Sequence, residues 1–155
     1  MPLELRAMTR TEFEAFRRDT LRGYADAHVA AGDWDATDAE SRSEEETATL
    51  LPAGVDTQGM RFVVAESEGS RVGHAWVCLD EPGRRRAWIY DIEVEAAARG
   101  RGYGRALLLA VEELVKNEGV GSIGLNVFGP NVIARSLYES AGYETTSLHM
   151  LKPLA

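Results

Sequence analysis

The sequence predicts a mixed α/β fold in which a mostly antiparallel sheet carries helices on both faces. Three observations lead to it. Two segments with helical periodicity come first, strand-like runs separated by tight turns follow, and a strand–helix–strand unit occupies the second half. Nothing in the 155 residues marks a linker, a repeat or a low-complexity stretch. Residues 1–155 are therefore read as one domain, long enough to bury a core.

Residues 3–8 read as a short first strand. Thr9 and Glu12 form a capping box, after which Phe13, Phe16, Leu21, Tyr24 and His28 recur at near-helical spacing up to Gly32. Thr37 and Glu40 repeat the device and open a polar helix that ends near Leu51-Pro52. Residues 61–66 and 72–79 read as a hairpin around Glu68-Gly69-Ser70, and residues 87–95 as a third long strand after the Pro82-Gly83 turn. Arg84-Arg85-Arg86 is read as a solvated loop. A helix from about Tyr103 to Glu118 follows, with Leu107, Leu108, Val111, Leu114 and Val115 as its buried stripe and Gly119 just past its end. A strand at 122–128, a helix at 131–141 closed by Gly142, and a last pair of strands near 143–153 complete the chain.

Composition excludes several classes of function. Hydrophobic residues are 45% and charged residues 27%, the balance of a globular protein. No apolar run reaches the ~18–20 residues of a membrane span. The N-terminus lacks the apolar stretch of a secretory signal. The single Cys78 sits in an apolar run and reads as a small core residue, which suits a reducing cytoplasm. A net charge of −8 argues against nucleic acid and is compatible with cationic small acceptors. Only Lys116 and Lys152 are lysines, the pattern of a GC-rich bacterial coding bias.

The chemistry concentrates between Asp91 and Arg105. A strand runs into Arg99-Gly100-Arg101-Gly102-Tyr103-Gly104, and a helix begins within that run. Glycines let successive backbone N–H groups turn toward one point, and the helix N-terminus adds unpaired donors and partial positive charge. Arginines at the lip add full charge. Such a turn suits a pyrophosphate. The Gly-Lys-Ser/Thr ending of a P-loop is absent. A dinucleotide-binding turn is disfavoured because Gly102 opens Gly-Tyr-Gly-Arg-Ala-Leu, and the next strand ends in Asn126, Val127 and Phe128 without an acid.

On these residues the chain resembles the GNAT superfamily of N-acetyltransferases. Arg99, Gly102 and Gly104 match the family's pyrophosphate signature, Gln/Arg-x-x-Gly-x-Gly/Ala. Asn131, Ala134, Leu137, Tyr138, Gly142 and Tyr143 match its second signature, in the expected order and one helix and one strand later. The resemblance runs from about Phe62 to Lys152, with the two N-terminal helices in the place of the acceptor-binding part. It implies a stand-alone enzyme of the acyltransferase class that moves an acetyl group from acetyl-CoA to an amine. It also implies a sheet splayed between the strands at 87–95 and 122–128, with pantetheine in the gap. Backbone groups from Ile92 to Val94 would hold the thioester arm like an added strand. The cradle of Arg99, Gly100, Arg101, Gly102, Tyr103, Gly104 and Arg105 would take the pyrophosphate, chiefly through the amides of Arg101 to Arg105.

Within that frame Tyr138 is the candidate general acid. A phenol of pKa ~10 remains protonated at neutral pH and can donate to a leaving thiolate of pKa about 8.5. Asn131 is a good N-cap and is placed near CoA by the signature. An ammonium acceptor must lose a proton before it attacks, so a carboxylate base is expected. Asp91, Glu93 and Glu95 alternate with Ile92 and Val94 and share one strand face unless a bulge intervenes. Glu93, level with the thioester, is the choice, with Asp91, Glu95 or water as alternatives. Two departures stand out. Asn126 occupies the position where family members acting on protein N-termini often carry a glutamate base, and Ala96-Ala97-Ala98 replaces the usual Pro-Glu-Tyr. His28, His74 and His149 show no metal spacing, and no metal is expected. Trp76 reads as core, whereas Trp34 could wall an acceptor pocket.

The expected partner is a small-molecule or peptide amine, with neither nucleic acid nor membrane, and a homodimer is compatible with this reading. The rival readings are a non-catalytic acyl-CoA-binding regulatory module and a nucleotide-binding oxidoreductase domain. Aminoglycoside, polyamine, amino acid and protein lysine all remain open as acceptors.

Overall fold

In the computed structural model, which describes residues 2–155, the strand-forming runs pair into one sheet of order β1-β2-β3-β4-β5. The strands are β1 (Glu4–Ala7), β2 (Met60–Ser67), β3 (Ser70–Cys78), β4 (Ala87–Val94) and β5 (Ile123–Leu125). The first four are antiparallel neighbours, and β5 joins β4 in parallel. That parallel step requires a crossover, supplied by α3 (Tyr103–Asn117). The remaining helices are α1 (Arg10–Ala30), α2 (Ala39–Leu50) and α4 (Val132–Ser140).

Period-two alternation along the strands makes two apolar faces. Val63, Ala65, Ala75, Val77, Ala87 and Ile89 lie under Leu107, Leu108 and Val111 of α3. Phe62, Val64, Trp76 and Cys78 point the other way, where α1 lays Phe13 and Phe16 against them. The Phe13 and Phe62 rings meet edge to face at 4.7 Å. Burying a side chain such as Phe13 contributes about 1.5–3 kcal/mol. α2 packs along α1, and the buried Ser43 hydroxyl donates to the Leu21 carbonyl at 2.8 Å. α4 is tied to α3 by a hydrogen bond from Arg105 Nη2 to Ser140 Oγ, and the Tyr143 hydroxyl just beyond it donates to Glu112 at 3.1 Å. Among the described residues no helix is long and apolar enough to cross a membrane.

The sequence-predicted fold class is the one observed, with three local corrections. The first concerns helix entry. The Thr9–Glu12 box forms in both directions, at 3.1 and 2.8 Å, but the Thr37–Glu40 box does not. α2 instead starts after Asp38 with no side-chain cap, because Asp35 Oδ1 accepts from both the backbone N–H and the hydroxyl of Thr37 at 3.0 Å. A carboxylate two residues away outcompetes the distant helix end. The second is length: the strand expected at 122–128 pairs only over Ile123–Leu125. The third is the C-terminus, where the expected strands near 143–153 are absent. Tyr143 N–H donates to the Tyr138 carbonyl at 3.0 Å, and residues 144–155 beyond it make no hydrogen bond among the described residues. A ladder needs a neighbour, and the chain leaves this segment without one.

Glu12 links helix entry to acid stability. Its carboxylate accepts from Arg6 at 2.7 Å and from Thr9 N–H, and these bonds, Arg6 first, hold its pKa down at about 2 against an ordinary 4.5. A depressed folded pKa gives stability that is present above 4.5 and lost as the pH falls toward 2. Glu12→Gln keeps the cap acceptor but removes the charge. Thermal melts should show the variant less stable than wild type at neutral pH, with the gap closing between those two pH values.

Candidate active site

The site begins where β4 changes neighbours. Trp76 faces Asp91 but Val77 faces Ile89, so Tyr90 is an extra residue in β4. A bulge of this kind bends a strand and interrupts its ladder. On the other side β5 follows β4 only as far as Ile89, opposite Leu125. From Tyr90 to Val94, β4 is therefore bonded to β3 alone, and a gap opens where β5 would have continued. Ile92 and Val94 turn their side chains toward the α3 core.

The glycine-rich turn stands beside this gap. Gly100 and Gly102 have φ of 75° and 85°, a left-handed region that glycine enters without a Cβ penalty. A Cβ at either would meet nothing within 4 Å. Six consecutive N–H groups, Gly100 to Arg105, find no hydrogen-bond partner among the described residues. An α-helix leaves about four such donors at its start; Gly100 and Arg101, just before the N-cap Gly102, extend the set. The Tyr103 side chain is in the core, so only its backbone belongs to this cradle.

The arginines of the turn divide. Arg99 is directed at β4, donating to the Val94 carbonyl and to Glu93 Oε1, both at 3.2 Å. Arg105 is engaged with Ser140 on α4. Arg101 lies over the Tyr103 ring at 5.4 Å and has no carboxylate partner among the described residues. Asn131 caps α4, its side chain accepting from Ala134 N–H at 3.3 Å.

On the opposite face of the sheet, α1 and β4 bound a cleft of about 870 Å³. The sheet wall carries His74, Tyr90, Asp91, Glu93 and Glu95; the α1 wall carries Phe16, Asp19, Tyr24 and His28. The three acids expected on one face are on one face, because the bulge falls before Asp91. Their partners differ. Asp91 Oδ2 is 2.9 Å from His74 Nε2, Glu93 Oε2 is 3.9 Å from the same nitrogen, and Glu95 is paired with Arg71 at 2.8 Å. His74, Asp91 and Glu93 each bring one ligand atom within 4.8 Å of the others, a spacing open to a divalent cation, yet each already has a partner in the chain. Trp34 does not line the cleft; it stacks on His28, which does, at 4.1 Å.

Tyr138 projects from α4, half-buried against the α3 core. Burial, and after it the negative charge of Asp91, raise its phenol above the ordinary value of 10, so it stays protonated across neutral pH. His74 and Tyr90 were missed in the sequence. His74 could have been found only by aligning β3 with β4, and the extra residue at Tyr90 shifts that register by one.

A mixed sheet in this order, parted at its parallel pair, is the architecture of the acetyltransferase fold. The chain belongs to the acetyltransferase (GNAT) family, whose model matches residues 14–143. It is similar over nearly its full length to two proteins of Bacillus subtilis (strain 168), the uncharacterized N-acetyltransferases YdgE and YycN. Identity to YdgE is 31%, covering 99% of each chain, and to YycN 32%, covering 99% of this chain and 100% of YycN. The solved structure of YycN matches with a TM-score of 0.89 at 31% identity over 99% of both chains. A GCN5-related N-acetyltransferase of Ralstonia eutropha JMP134 shares the fold alone, with a TM-score of 0.66 at 20% identity over 99% of both chains.

Proposed function

We propose that this chain transfers an acetyl group from acetyl-CoA directly to the primary amine of a cationic acceptor, with no covalent enzyme intermediate and no metal. The observation that carries the reading is the run of unpaired amides from Gly100 to Arg105 beside the unpaired edge of β4. The amides fit a pyrophosphate, helped by the helix dipole and by Arg101. The free edge from Ile92 to Val94 fits the amides of a pantetheine arm, lying as a strand would. Arg99 in this reading steadies the lip of the cradle through Glu93 and Val94, and Arg105 and Asn131 position α3 and α4 around the cofactor.

The acceptor enters from the acid-lined cleft. Of its carboxylates, Asp19, Asp33 and Asp91 have no arginine or lysine partner among the described residues, which favours a cationic molecule. Glu93, exposed and level with the edge that would hold the thioester, is the proposed base. Asp91 with His74 is a second reading, favoured by the 2.9 Å contact between them on the cleft wall. The amine attacks the thioester carbonyl, its proton leaves to the carboxylate, the C–S bond breaks, and Tyr138 protonates the departing thiolate. Holding both reactants in place supplies much of the acceleration.

Two pairs of measurements test this. Gly102→Asn and Gly102→Asp have similar shapes and both tolerate a left-handed backbone. By calorimetry the aspartate should bind CoA roughly 10–100-fold more weakly than the asparagine, because a carboxylate would face the pyrophosphate. Equal affinities would remove the phosphates from this turn. Tyr138→Phe keeps the ring and its packing, so CoA affinity should hold while the single-turnover rate falls by roughly 10–10⁴-fold. The loss should shrink with a thioester whose thiol is more acidic. A wild-type single-turnover rate would leave Tyr138 as a packing residue.

A further inference from the structure

Four polar side chains of β3 and β4 form one line along the cleft wall: Glu95, Arg71, His74 and Asp91. Arg71 Nε donates to Glu95 at 2.8 Å, Arg71 Nη2 lies 3.4 Å from His74 Nδ1, and His74 Nε2 lies 2.9 Å from Asp91 Oδ2. Phe16 of α1 meets the imidazole edge to face at 5.3 Å.

The neighbours on either side determine where the histidine proton sits. A guanidinium has donors only, so Nδ1 must present its lone pair to Arg71. An ionised carboxylate has acceptors only, so Nε2 must carry the hydrogen that reaches Asp91. An imidazolium would turn a second N–H against the guanidinium. Glu93 Oε2, 3.9 Å from Nε2, is too distant to take that hydrogen. The neutral ring therefore spends both nitrogens within the chain and keeps no lone pair for an amine's proton.

A neutral donor orients a carboxylate without neutralising it. Of the three acids on this face, Glu93 is offset by Arg99 at 3.2 Å and Glu95 by Arg71. Asp91 has only His74 among the described residues, and so retains its full charge. We propose that Asp91 receives the ammonium group of the acceptor, and that His74 is the positioning residue that aims it, held in the Nε2–H form by Arg71. The imidazole fixes Oδ2 of Asp91 and leaves Oδ1 to the ligand. This inference rests on the proposed use of the cleft by a cationic amine, and it holds whichever carboxylate finally takes the proton.

Nitrogen NMR of the full chain with isotope-labelled histidine reads that proton directly, and His74→Gln assigns the signals. At pH about 8, above the ordinary histidine value of about 6.5, Nε2 should be protonated and Nδ1 bare. A protonated Nδ1, in the other tautomer or in an imidazolium, would overturn the proposal. Putrescine, a linear diamine, should shift the Nε2 signal in wild type but not in Asp91→Asn; no shift in wild type, or equal shifts in both, would also overturn it. A shift without acetylation would spare this inference and sink the acetyl-transfer reading. In turnover of putrescine, His74→Phe keeps a ring against Phe16 but loses the donor, so KM for the diamine should rise roughly 10–100-fold while KM for acetyl-CoA holds. The amide of His74→Gln can accept from Arg71 and donate to Asp91, and should recover most of that loss. Glutamine as damaging as phenylalanine would mark His74 as a proton acceptor, and an unaffected His74→Phe would mark it as packing; either contradicts a positioning role.

Discussion

Beyond Ile89, β4 keeps one hydrogen-bonded neighbour and loses the other, and both sides of the candidate site follow from that loss. The strand is held firmly on the β3 side. A Cβ on Gly73 would lie 2.5 Å from the Glu93 carbonyl oxygen, so the two backbones approach as only glycine permits. On the β5 side the bulge at Tyr90 bends the strand away, and its polar backbone groups face a gap that water or a ligand must satisfy. The strand then delivers the chain through Ala96–Ala98 to the start of α3, whose own donors are unpaired. A polar edge and a positive helix end are therefore neighbours by topology.

The same strand divides two tasks between its faces. Ile92 and Val94 anchor it under α3, while Asp91, Glu93 and Glu95 face the cleft below α1. In the proposed reaction the cofactor lies along the edge, between these faces. Carboxylates that take a proton approach from one side, and the phenol that gives one approaches from the other. α1 contributes shape and charge to the cleft, and α2 packs behind it.

What was legible in the sequence was what local chemistry decides. The Thr9–Glu12 box, the stripe of α3, the N-cap at Asn131 and the shared face of three acids all depend on residues a few positions apart. The glycine run was legible because glycine enters its left-handed φ values with no Cβ penalty. Readings failed where a competitor or a distant partner decided the outcome. Asp35 took the groups of Thr37 that a cap would have used. His74 meets Asp91 across a ladder whose register carries an extra residue. Arg99, expected at the pyrophosphate, also donates to Glu93 and the Val94 carbonyl, contacts that its place in the sequence does not disclose. The C-terminal residues were read as strands from composition, and composition carries no information about which edge they meet.

In the proposed reaction one cofactor edge and one acid-lined cleft act together in acetyl transfer to a cationic amine. The most direct measurement is thiol release from acetyl-CoA across a panel of amines and their neutral or anionic analogues. Release should depend on an added amine, strongest for molecules with a second cationic centre and weak for anionic ones. Release that no amine accelerates, or a wild-type protein that binds a nicotinamide dinucleotide but not CoA, would contradict it.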